Sequence, residues 1–130
     1  MIFSLLFLIT SCTPSNGESV NTVEETITET FERFQLKEPY PIVEIVSPYH
    51  WSVRGDVKGR AVRYNTGREE IYLQRDNVRT QSKLEDLLDH EVSHIKAWRE
   101  HGENISSHGF EYNKICRHFS RRKTSCSARG

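Results

Sequence analysis

Apolar residues recur along this chain with two different periods, and the change of period divides it into elements. Val23, Ile27, Phe31 and Phe34, with Thr30, fall at helical spacing, and Glu38-Pro39-Tyr40-Pro41 brings that helix to an end. Ile42-Val43-Glu44-Ile45-Val46 then reads as a β-strand stopped by Pro48. Two further strand-like runs, near Val57 to Tyr64 and Glu69 to Gln74, flank Asn65-Thr66-Gly67, where the glycine suits a positive φ, so a hairpin is predicted. Helical period returns downstream. Leu84, Leu87, Leu88, Glu91, Ile95 and Trp98 share one arc, and Ser82-Lys83-Leu84-Glu85 has the form of a capping box at its start. Gly102 is placed to end this helix, Glu103-Asn104-Ile105-Ser106-Ser107 forms a turn-rich connection, and His108 opens a second helical stretch. A helix, a short antiparallel or mixed sheet and two closing helices describe a small α+β domain over residues 21–122, and 130 residues suffice for one modest core.

The first residues follow neither period. Ile2 to Ile9 is an apolar run of eight residues, too short to span a bilayer as a helix, and it reads as the hydrophobic part of a signal peptide. Ile9-Thr10-Ser11-Cys12 resembles a bacterial lipobox. The expectation is a lipoprotein signal peptide over residues 1–11, Cys12 as the lipidated anchor, a polar tether over 12–20, and an extracytoplasmic domain held at a membrane.

Charge changes the picture less. The net charge is zero, so no global field recruits nucleic acid, yet the signs are segregated. Residues 18–44 hold seven Glu against Arg33 and Lys37, whereas 117–130 hold Arg117, Arg121, Arg122, Lys123 and Arg129 with no acid. These basic residues, with 123–130 set apart as a tail, could touch phosphates, but aromatics are not interleaved with the charges beyond Phe119, and a solvated terminus is expected. Beyond Cys12 two cysteines remain. Cys116 and Cys126 could pair in an oxidising compartment, or Cys116 could stay a buried thiol on the apolar face of Tyr112, Ile115 and Phe119.

The chemistry lies in His90-Glu91-Val92-Ser93-His94. Histidines at i and i+4 stack on one face of a helix, so both imidazoles can reach a single cation, and this geometry suits zinc. Glu91 lies about 100° round the helix, close enough to hold a water without being a ligand, and is the natural general base. With 6 His and 14 Glu in 130 residues, a shuffled chain would show this pattern roughly 0.03 times. A hydrolytic zinc site needs a third protein ligand. His101 is too far along the same helix, and Ala97 and Glu100 stand where the metzincin spacing needs Gly and His. His108, brought back by a returning helix, is favoured, with Glu103 and Glu111 as carboxylate competitors; Gly109 would allow the backbone to approach the site.

Leu87-Leu88-Asp89-His90-Glu91-Val92-Ser93-His94, the loop, and His108-Gly109-Phe110-Glu111-Tyr112 together resemble the SprT-like metalloprotease family, which includes Spartan-type proteases acting on DNA–protein crosslinks. The likeness spans roughly residues 25 to 120. It implies a zincin-like fold, His90, His94 and His108 as ligands to Zn²⁺, Glu91 as catalytic base and a protein or peptide as substrate. Phe110 replaces the family's usual proline, and no Cys-x-x-Cys pair follows, so the zinc ribbon of some members is not implied. Tyr112 and Tyr64 are candidates by type for stabilising the oxyanion. Two other readings stand beside the peptidase: a non-catalytic, zinc-containing, membrane-tethered binding domain, and a cytosolic DNA-associated protease of the same family.

Overall fold

A computed structural model describes residues 21–126. The expected signal peptide, Cys12 and the polar tether lie outside the described residues, as do positions 127–130. Over the described residues the architecture is α+β, with three α-helices and a small mixed sheet of three strands. The order along the chain is α1 (Val23–Arg33), β1 (Ile42–Val46), β2 (Gly59–Arg63), β3 (Glu69–Gln74), α2 (Gln81–His101) and α3 (Phe110–Phe119). Among the described residues no helix is long and apolar enough to cross a membrane.

Helix α1 starts at a true capping box: Thr22 accepts from the Glu25 N–H, while the Glu25 carboxylate accepts from the Thr22 N–H. Its apolar stripe, led by Phe31 and continued by Phe34, enters the main core. The hairpin forms as its glycine suggests, with Gly67 at φ +91° in the turn between β2 and β3. The sheet order is β1-β3-β2, with β1 parallel and β2 antiparallel to β3. Val43, Ile71 and Ala61 therefore lie side by side across the sheet, all packed into the core that α2 fills with Leu84, Leu88, Val92 and Ile95. Val46, Val53 and Tyr72 form a smaller cluster on the other face.

Helix α2 begins two residues earlier than the Ser82 capping pattern indicates. The N-cap is Thr80, whose hydroxyl accepts from the Lys83 N–H. Gln81, now in the first turn, reaches both Glu85 and the Thr26 hydroxyl of α1, so a tertiary contact favours the earlier start. The helix ends at Gly102 with φ +84°. Its middle is buried all round, from Leu87 to Ile95. It is a central strut, with the sheet on one side and α1 and α3 on others.

Two of the C-terminal basic residues are not solvated charges, although Arg117 and Lys123 are exposed. Arg121 and Arg122 are ion-paired to Asp89, Asp86 and Glu85 of α2, and Lys123–Cys126 makes a one-turn 3-10 helix against it. The alternative left open for the cysteines resolves as a Cys116–Cys126 disulfide, with Cα atoms 5.7 Å apart, which ties this turn to α3.

Candidate metal centre

The two α2 histidines lie one turn apart, His90 4% and His94 8% exposed. The third arrives from the loop beyond Gly102. His108 precedes α3 rather than opening it, since Gly109 is the N-cap, and Asn113 Nδ2 fixes the His108 carbonyl at 2.9 Å. Gly109 serves this turn and not the approach of backbone to the site, because a Cβ there would stand 2.7 Å from Cβ of Ser106. The outcome is convergence. Nε2 of His108 lies 3.1 Å from Nε2 of His94 and 3.3 Å from Nε2 of His90. His90, His94 and His108 each offer a nitrogen within 4.8 Å of the others, so the three together could hold a metal ion.

The environment keeps these nitrogens available. Burial lowers the pKa of His94 to about 3, helped by repulsion from His90 and His108. Burial also lowers those of His90 and His108. All three are thus neutral near pH 7. His90 Nδ1 lies 2.8 Å from the Ser125 carbonyl oxygen, which can only accept, so Nδ1 carries the proton and Nε2 the lone pair. Tyr112 forms the floor, its ring centroid 4.3 Å from that of His94 and 5.0 Å from that of His108. Its hydroxyl donates to the His90 carbonyl at 3.1 Å, and burial holds its pKa above the ordinary phenol value.

Glu91 lies beneath β2. A Cβ on Gly59 would come within 3.1 Å of its Oε2, so only a glycine lets the strand rest on the carboxylate without displacing it. Burial raises the Glu91 pKa to about 8, against the opposing effects of the Arg60 charge and the Ala61 backbone N–H. Glu91, His90, His94 and His108 share a cleft of about 350 Å³, walled by Gly59, Ala61 and Trp98.

Other sequence candidates fall elsewhere. Glu111 and His101 line a separate groove between α2 and α3, and Glu103 pairs with Arg63 at 3.7 Å. Tyr64 reaches Glu70, on the sheet face away from α2, and Tyr112 is tied to the His90 carbonyl; neither hydroxyl opens on the cleft. Sequence reasoning missed the support around the triad, namely Asp89, Arg121 and Ser125. Asp89 carried a signal, because a carboxylate inside Leu87-Leu88-Asp89-His90 must find a partner if buried. Comparison with protein-family models, curated proteins and solved structures finds no match to this chain.

Proposed function

We propose that this chain is a zinc-dependent metalloendopeptidase with a zincin-like fold of SprT-like type, its metal held by His90, His94 and His108 and its general base Glu91. The observation that carries this reading is the meeting of three neutral imidazole nitrogens beside one buried carboxylate. The spacing fits the ion: tetrahedral Zn–N bonds of about 2.0–2.1 Å imply N···N separations of about 3.3–3.4 Å. The two separations from His108 are 3.1 and 3.3 Å, and that between His90 and His94 is within 4.8 Å. When bound, zinc would supply Lewis acidity to a water and to the scissile carbonyl. With a cation held by the three imidazoles, the ionised form of Glu91 would be favoured over the neutral form that burial alone favours, and the carboxylate would then take the proton from the attacking water and hand it to the leaving amine. A centre kept only for structure has no use for such a base, which favours turnover over a binding domain.

The sheet supplies a place for substrate. Lys58 O and Tyr64 N are bonded to β3, so strand alternation turns the backbone groups of Gly59, Ala61 and Arg63 away from β3, and with the Ala61 N–H directed to Glu91 the groups of Gly59 and Arg63 and the Ala61 carbonyl line this edge of the described sheet. That edge borders the cleft, and an extended peptide can add to it through main-chain hydrogen bonds. The disulfide favours an oxidising compartment, in keeping with a domain anchored outside the cytoplasm through Cys12. Two of the five basic residues of 117–130, Arg121 and Arg122, are occupied by acids of α2, which weakens the nucleic-acid alternative.

Elemental analysis of purified protein with a casein digestion tests the proposal. It expects one zinc per chain and cleavage that stops on chelation. Folded protein that takes up no zinc, or cleavage indifferent to chelation, contradicts it.

A further inference from the structure

The group that orients His90 does not belong to α2 or to the loop of His108. It is the Ser125 carbonyl, 35 residues away, in the short turn Lys123–Cys126. An outer partner of this kind fixes both the tautomer and the ring plane of a ligating histidine. What fixes the turn is therefore decisive. Ser125 is its one buried residue, so apolar packing holds it weakly. Two ties remain. Ser125 Oγ donates to Asp86 at 3.0 Å, and Cys126 is covalently joined to Cys116 in the buried face of α3. The same helix carries Tyr112, one turn before Cys116, under the three imidazoles.

We propose that the Cys116–Cys126 disulfide is a lock on the metal centre, holding the Ser125 carbonyl against His90, so that reduction of the disulfide loosens the metal. The inference rests on the metal-site reading above. Reduction here is exchange with a dithiol. One thiolate attacks Sγ of Cys126, which is half-buried whereas Cys116 is fully buried, and Cys116 leaves as a thiolate. The second thiol of the reagent, as its thiolate, then displaces Cys126. Two electrons pass to the protein, two cysteine thiols form with the protons the dithiol gives up, and the reagent becomes a cyclic disulfide. Arg121 stays paired with Asp89 throughout, so α3 remains docked and the loosening is confined to the turn.

The test uses the full chain with zinc alone as the probe, since dithiols bind zinc themselves. A Cys116→Ser/Cys126→Ser variant should raise the zinc Kd about 10- to 100-fold over the oxidised wild type, the range for losing an outer partner of a ligand. Asp86→Ala, which leaves the disulfide intact and removes the contacts to Ser125 Oγ and Arg122, should shift Kd by much less. Thr22→Ala, which removes the α1 cap far from the site, should lower Tm and leave Kd unmoved. In metal-free wild type, adding a dithiol should abolish the protected His90 Nδ1–H resonance. Unchanged Kd in a folded double-serine variant overturns the lock, as does a His90 Nδ1–H resonance that persists in fully reduced, metal-free wild type should the double variant not fold. Oxidised wild type that takes no zinc overturns the metal reading and the lock with it.

Discussion

The carboxylate of Asp89, with no exposed surface, receives the backbone N–H of Arg121 at 2.8 Å and the guanidinium of the same residue on its other oxygen. The pair joins the residue before His90 to the segment that leads into Ser125, and Arg121 also reaches the Thr30 hydroxyl of α1 at 3.0 Å. Burial raises the Asp89 pKa even against these contacts, so the carboxylate depends on its partner to remain ionised inside the fold.

Arg121→Ala leaves that carboxylate buried and without its cation. The expected loss is about 3–5 kcal/mol of unfolding free energy, as for breaking a buried pair from one side. Arg122→Ala removes contacts made by a side chain that is 40% exposed, and should cost less than about 1 kcal/mol. Urea denaturation of the metal-free variants compares the two. Equal losses would show that the Asp89 pair is not the anchor.

Much of this fold could be read locally, because its signals are local. β1 runs from Ile42 to Val46 as the apolar, β-branched run before Pro48 indicates, and the hairpin turns at Gly67 because φ +91° is costly for other residues. The parallel pairing of β1 with β3 left no such mark, since it depends on a crossover through β2. His90 and His94 were legible from their i, i+4 spacing. His108 needed a loop to fold back, which spacing does not determine. Ser82 and Thr80 are both able to cap α2, and a contact between Gln81 and Thr26 of another helix favours the latter. By charge alone each of five basic residues near the C-terminus suits Asp89, and only packing selects Arg121.

Removing the third histidine should distinguish it from its competitors. His108→Ala is expected to weaken zinc binding by more than the roughly 10- to 100-fold that loss of an outer partner costs. His101→Ala and Glu111→Ala lie in the other groove and should leave affinity nearly unchanged. A zinc titration in which Glu111→Ala loses the metal while His108→Ala keeps it would replace the histidine site by a glutamate-type one.

In the metal-free protein the imidazoles and Glu91 pull stability in opposite directions. Burial depresses each histidine, His94 to about 3, so their contribution is full above about pH 6.5 and is lost as pH falls toward the folded values. Glu91, raised to about 8, contributes below about pH 4.5 and loses its contribution as pH rises through 8. Metal-free protein should therefore melt highest near about pH 6 to 7, with Tm declining on both sides. Glu91→Gln should flatten the alkaline decline only. Scanning fluorimetry checks this, and an alkaline limb unchanged in the variant contradicts the assignment.

Peptide hydrolysis by zinc-loaded Glu91→Gln, set against zinc-loaded wild type at equal metal content, tests the central claim most directly. The amide keeps the shape of the side chain and removes its proton acceptor, so zinc should remain at one per chain while kcat falls about 10²- to 10⁴-fold, the usual contribution of general acid–base catalysis. Wild-type turnover by the metal-replete variant, or no hydrolysis by the zinc-loaded wild type, would contradict a peptidase built on His90, His94, His108 and Glu91.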